Sequence, residues 1–272
     1  MTAAPAPNVW SFEPQVLVTV GFAAAVYLWR LRDLHASQPR PAPARDYLRA
    51  AAFLAGLAVL TLALVSPIDR LGEERLFCVH MAQHLLLTDV APILLLLGLS
   101  RPLLRPATRR FTGFERALGP LAHPFTALAL LIAALWIWHI PAMYELALDH
   151  RFAHDLEHLS FFGAGLAFWW YLIEPVPPRQ RLRGMTSLAY IGSAKVALGA
   201  LGIVLAFSPD ALYDNYERAP RTWGLTAVED LNVGGLVMMI EQMLVLVVFF
   251  AIFFVRMLEQ SERAERRRER YG

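Results

Sequence analysis

Long apolar runs separated by short charged stretches set the pattern of this chain. Seven runs approach or reach the ~20 residues that span the hydrocarbon core of a bilayer. They lie at Val16–Trp29, Leu48–Val65, Leu76–Leu99, Phe125–Ile140, Phe152–Leu172, Leu188–Phe207 and Asn232–Val255. The first and fourth are short and need interfacial residues or an upright setting. Helix stops fall between the runs, at Ser66-Pro67, Arg101-Pro102, Pro141, Pro175 with Pro177-Pro178, and Ser208-Pro209. The pattern predicts an all-α, polytopic membrane protein of seven transmembrane helices. Residues 1–258 form one bundle, and residues 259–272 a basic cytoplasmic tail.

Composition and charge sharpen this reading. Hydrophobic residues make up 57% of the chain and charged ones 18%, with mean hydropathy +0.43, more apolar than soluble domains. Arginines divide unevenly between alternate loops, 19 on the side of loops one-two, three-four, five-six and the tail, against five on the other. The positive-inside rule places the 19 in the cytoplasm. The N-terminus is then outside and the C-terminus inside, as an odd number of spans requires. Met1 to Pro14 carries no Lys or Arg, so no signal peptide is expected and the first run stays as a span. A net charge of +2 and the lack of a basic-aromatic stripe give no case for nucleic acid. The single Cys78 excludes an internal disulfide and a CxxC motif. No repeat or pair of matched helix breaks marks an inverted-repeat transporter.

The chemistry lies in the histidines. Six of the eight fall beside the outer ends of the runs: His80, His84, His139, His150, His154 and His158. His80 and His84, and likewise His154 and His158, are spaced i,i+4, one turn apart on one helix face. Imidazoles so placed can take adjacent positions around one ion, as in HExxH zinc helices. This chain has Met81 and Gln83 within the first pair, so the general base of that motif is missing. The outer acids Asp69, Glu73, Asp155 and Glu157 are placed to fix imidazole tautomers. Met81, Met143, Met238 and Met239 are further candidate ligands, and thioether with imidazole suits Cu(I). The same methionines also serve as bundle filling.

Three ionisable residues fall inside the runs: Asp89, Lys195 and Glu241. Intramembrane charges are costly and mark pairs or pathways. Lys195 can pair with Asp89 or with Glu241, giving a packing ion pair or a proton- or ion-linked role. Pro92 predicts a break in the third span. Gly234-Gly235 and Gly199 with Gly202 predict close helix contact. The long outer loop before the last run carries Tyr213, Glu229 and Asp230. With Asp69 these form a candidate lid over the histidines or a docking face for a partner.

Several compound motifs resemble the multi-span CtaG family of cytochrome c oxidase assembly proteins. They are His80-Met-Ala-Gln-His84 followed by Ala91-Pro92, Trp138-His139-Ile-Pro141-Ala-Met-Tyr144, and His154-Asp-Leu-Glu-His158 with Trp169-Trp170. Ser208-Pro209 before Leu212-Tyr213, and Glu229-Asp230 before Gly234-Gly235, complete the set. The resemblance covers about Ser66 to Met239. One departure lies at Leu231-Asn232, where the family's pattern is rich in Gln. The resemblance implies a non-enzymatic assembly factor in the bacterial plasma membrane that helps supply copper to a haem-copper oxidase subunit. By position it carries over His80, His84, His139, His154 and His158. Zinc and haem b are weaker alternatives to copper. Two other functions stay open on the residues: a haem-binding redox protein, with His84 and His158 as axial ligands, and a metal- or proton-coupled permease using Asp89, Lys195 and Glu241.

Overall fold

The computed structural model describes residues 10–36 and 43–271. The first nine residues and Arg40 of the first inner loop, both used in the topology expectation, lie outside them. Every described element is helical. The helices are α1 (Pro14–Ala36), α2 (Ala44–Val65), α3 (Pro67–Glu74) and α4 (Phe77–Gly98). They continue with α5 (Arg101–Leu118), α6 (Pro124–Trp138), α7 (Pro141–Asp149), α8 (Arg151–Ile173), α9 (Met185–Ala206), α10 (Asp214–Arg218) and α11 (Ala227–Tyr271). Among the described residues, α1, α2, α4, α9 and α11 are long and apolar enough to cross a membrane. A sixth candidate joins Glu115–Leu121 to Pro124–Trp138 across a 68° bend. Several helices of this kind suggest a membrane protein. The stretch expected as the fifth span is the helix α8, 23 residues long, about 35 Å at 1.5 Å per residue. It is not among the apolar candidates, since Asp155, Glu157, His154 and His158 occupy its first two turns.

Proline and local caps set most boundaries. Ser66 turns the chain after α2, and its hydroxyl accepts the Ile68 amide at 3.3 Å, with Pro67 opening α3. His123 caps α6 the same way, its Nδ1 accepting from Phe125 N at 3.1 Å. Besides the short α10, three stretches expected as loops are helices instead: α3, α5 and α7. Each begins with a proline in its first turn, where a missing N–H costs nothing. The C-terminal tail is also continuous with α11, with no break at residue 258.

Helix α4 is the most buried of the candidate spans, while α1 and α11 are the least. The expected Pro92 break takes the form of a π-helical turn over Leu86–Val90, which re-routes the backbone bonding where proline cannot donate. Helix α8 lies directly on this turn. A side chain at Gly165 would place its Cβ 2.2 Å from the Thr88 carbonyl oxygen, so only glycine fits. Helices α9 and α11 approach as closely, Gly235 packing against Gly202 and Ala206. Gly234 admits the Phe77 ring, whereas Gly199 faces open space and takes no part in packing.

Candidate metal centre

Three helices bring five imidazoles to one end of the bundle. His80 and His84 come from α4, His139 from the residue after α6, and His154 and His158 from α8. All are buried, none more than 7% exposed. Ring centroids lie 4.2 Å apart for His80 and His84, 4.0 Å for His154 and His158, and 5.3 Å for His84 and His158. His139 sits 6.1 Å from His84. His150 is exposed and does not join them. His35 stands apart, 3.2 Å from Asp46.

Ligand atoms of His80, His154, Glu157 and His158 all lie within 4.8 Å of one another. Metal–ligand bonds of about 2.0–2.2 Å in a tetrahedron place such atoms roughly 3.4 Å apart, so closing on an ion takes less than about 1 Å of movement by each. Glu157 is 0% exposed, and neither carboxylate oxygen has a hydrogen-bond partner. His84 Nδ1 and Nε2 and His158 Nε2 are also without one. Each buried group left so costs about 1–3 kcal/mol, a charged one more. A cation among them removes that cost.

Proton bookkeeping leads to the same place. Tyr216 donates to the Gly72 carbonyl at 2.8 Å. Its oxygen also meets His80 Nδ1 at 2.8 Å, and Tyr144 Oη meets both, at 2.8 and 3.3 Å. Burial pushes both phenols upward, so they stay protonated. The assignment that satisfies all four contacts puts the His80 proton on Nδ1 and leaves Nε2 bare. His154 Nδ1 donates to Glu73 at 2.8 Å, so in the neutral ring Nε2 is bare as well. These two Nε2 atoms face each other at 3.4 Å. With both rings neutral a metal ion fits between them, while an imidazolium at His154, paired with Glu73, fills the same place with its own proton.

A family model described as cytochrome c oxidase caa3 assembly factor (Caa3_CtaG) matches residues 25–260. The chain belongs to this family. Uncharacterized proteins of Mycobacterium bovis and Mycobacterium tuberculosis are each 24% identical to it over 251 residues, covering 84% of this chain and 36% of theirs. One of Mycobacterium leprae is 22% identical over 240 residues, covering 82% and 36%. The chain thus spans about a third of the length of these curated relatives. No solved structure matches it.

In this Caa3_CtaG protein the four candidate methionines separate. Met81 Sδ lies 3.2 Å from His139 Nε2. Met238 is buried in the core, Met143 packs against it, and Met239 fills the space beside Gly202. The outer-loop candidates have internal duties. Asp230 accepts the Phe77 and Cys78 amides at 2.6 and 3.0 Å, capping α4 from α11. Glu229 forms a capping box with Thr226. Tyr213 donates to the His139 carbonyl at 3.0 Å, and Asp69 accepts from Gln83 at 2.7 Å. The loop before α11 does cover the histidines, through Tyr213 and Tyr216. Of the four acids expected to hold imidazoles, Glu73 does so, Asp69 holds Gln83, Asp155 is exposed and Glu157 enters the cluster itself.

Away from the centre, Lys195 gives both Asp89 oxygens a 2.9 Å bond and lies 3.8 Å from Glu241. Trp169 Nε1 donates to Asp89 at 2.8 Å. The lysine therefore serves both carboxylates, with Asp89 the nearer. A cleft of about 760 Å³ reaches His154 and His158 from the side of α1. Its rim carries Glu13, Asp69, Glu73, Glu74, Asp149 and Asp155 against Arg70 and Arg151. Arg151 also bonds Glu13 at 2.6 Å, tying α1 to α8.

The sequence pattern points to a supporting role for Glu157 and to none for Tyr144 or Tyr216. The signal for Glu157 is local: in His154-Asp-Leu-Glu-His158 the glutamate falls at i+3 from His154, on a neighbouring position of the same helix face. The tyrosines carry no such periodicity, since Tyr216 meets His80 across 136 residues.

Proposed function

We propose that this assembly factor binds copper as cargo at the His80, His154, Glu157 and His158 cluster and passes it to a haem-copper oxidase subunit. The carrying observation is the convergence of His80, His154, Glu157 and His158 ligand atoms within 4.8 Å of one another, with the buried carboxylate lacking a hydrogen-bond partner. Four candidate ligands from two helices, His80 on α4 and the rest on α8, fit a small cation. Family membership supplies the oxidase as recipient.

In this reading α8 is a membrane span despite its polar first turns, and α6 is another, giving seven. The arginine bias puts the histidine end outside the cytoplasm. Copper reaches the cluster through the acid-rimmed cleft, where negative charge concentrates cations. Neutral imidazole is the ligand, held in its metal-binding tautomer by Tyr144, Tyr216 and Glu73. Ligand exchange with the docked subunit releases the ion. The protein turns over no substrate.

A second reading has one observation behind it. His154-Asp-Leu-Glu-His158 has the H-x-x-E-H order of zinc peptidases, in which the glutamate takes a proton from metal-bound water. A family of assembly factors favours cargo over hydrolysis.

The test is made in cells that lack the native gene and carry His158→Ala. The copper-to-haem ratio of their haem-copper oxidase should fall at least several-fold, with the variant protein accumulating normally. An unchanged ratio would overturn the delivery reading.

A further inference from the structure

His139 and Met81 stand outside the four-residue cluster, and their contact has a chemistry of its own. His139 Nδ1 lies 2.7 Å from the Leu135 carbonyl, an acceptor only, so the ring proton sits on Nδ1. The bare Nε2 then points at Met81 Sδ, 3.2 Å away. A thioether has no proton to give. Both contacts could be proton-bonded only in an imidazolium, and among the described residues no carboxylate pairs with this ring to balance one. Met81 is 0% and His139 5% exposed, so water does not separate them. The arrangement repeats the facing lone pairs of His80 and His154, with sulfur in place of one nitrogen.

We propose that Met81 and His139 form a second cation station, selective for soft monovalent copper, beside the His/Glu cluster. His84 joins the two. Both its ring nitrogens are without a hydrogen-bond partner, and its ring lies between those of His80 and His139. The stations differ in kind. One holds a carboxylate and imidazoles, a set that accepts divalent ions. The other holds a thioether and an imidazole and no oxygen, which suits Cu(I) or Ag(I). This inference deepens the copper reading by assigning an oxidation state to one part of the site.

The two stations can be probed separately in the detergent-purified full chain. Co(II) serves as the divalent probe, read by its visible d–d bands, and Ag(I) as the soft probe, read by equilibrium dialysis. Wild type should bind one Co(II), then one Ag(I) without losing the cobalt. Met81→Leu, close in volume, should weaken Ag(I) at least tenfold while the cobalt bands persist, which also reports an intact fold. Glu157→Gln should do the reverse. Ag(I) binding unaltered by Met81→Leu, or Ag(I) displacing Co(II) one for one, would overturn the second station. Wild type that takes Co(II) but no Ag(I) would also overturn it, leaving the His/Glu cluster standing. Ag(I) uptake without Co(II) would support the soft station and remove the divalent one.

Discussion

Asp69 shows how one side chain at the mouth of the cleft couples stability to pH. Burial, and then the charge of Glu73, push its carboxyl up to about 6, against the pull of the Gln83 amide and His154. Glu13 adds a smaller push. Between pH ~4 and 6 the folded state therefore binds more protons here than the unfolded state does. The contribution is most favourable below pH 4 and is lost as pH rises through 6. Asp69→Asn keeps an acceptor for Gln83 and should stabilise the protein at pH 7 by about 2 kcal/mol, with a flatter melting-temperature profile from pH 4 to 7. A parallel profile in variant and wild type would contradict the burial argument. Lys195 poses the opposite case. Lys195→Met leaves Asp89 buried beside Trp169 without its cation and should cost about 3–5 kcal/mol. Adding Asp89→Leu should recover most of that loss in thermal unfolding in detergent.

At the scale of elements, the site depends on three fixed junctions. Asp230 caps α4 from α11, so the helix bearing His80 and His84 starts at a set height. Asp230→Ala strands the Phe77 and Cys78 amides and should cost about 2 kcal/mol and weaken metal binding. Gly165 seats α8 against the π-helical turn of α4. Gly165→Ala needs more than an ångström of backbone movement at Thr88 and should destabilise by about 1–3 kcal/mol, measured by the same melt. The periodicity of His80/His84 and of His154/His158 made the inward faces of α4 and α8 legible in the sequence, because i,i+4 spacing is local. The π-helical turn, the Asp230 cap and the pairing of Tyr216 with His80 were not, since each depends on residues far apart in the chain meeting in the fold. Helices α3, α5 and α7 fall in stretches expected as loops because none carries an apolar run of about 20 residues.

The whole molecule is a helical bundle with its polar chemistry gathered at one end. The apolar runs made the helices legible, and charge in the first turns of α8 obscured the count of apolar spans. The cleft beside α1 joins elements from the start and the middle of the chain, which no spacing rule anticipates. Its acids should act on rate more than on affinity. Changing Glu13, Glu74 and Asp149 to their amides should slow copper loading about tenfold at low salt with equilibrium affinity within about twofold. Equal loading rates would place the route elsewhere. The central claim is that the buried histidines and Glu157 hold copper. Metal analysis and an absorption spectrum of the purified protein after anaerobic Cu(I) loading, beside a His80→Ala/His154→Ala variant, test it most directly. The account predicts bound copper in wild type, at least half of it lost in the double variant, and no Soret band. No copper in wild type, equal copper in both proteins, or a haem spectrum would contradict it.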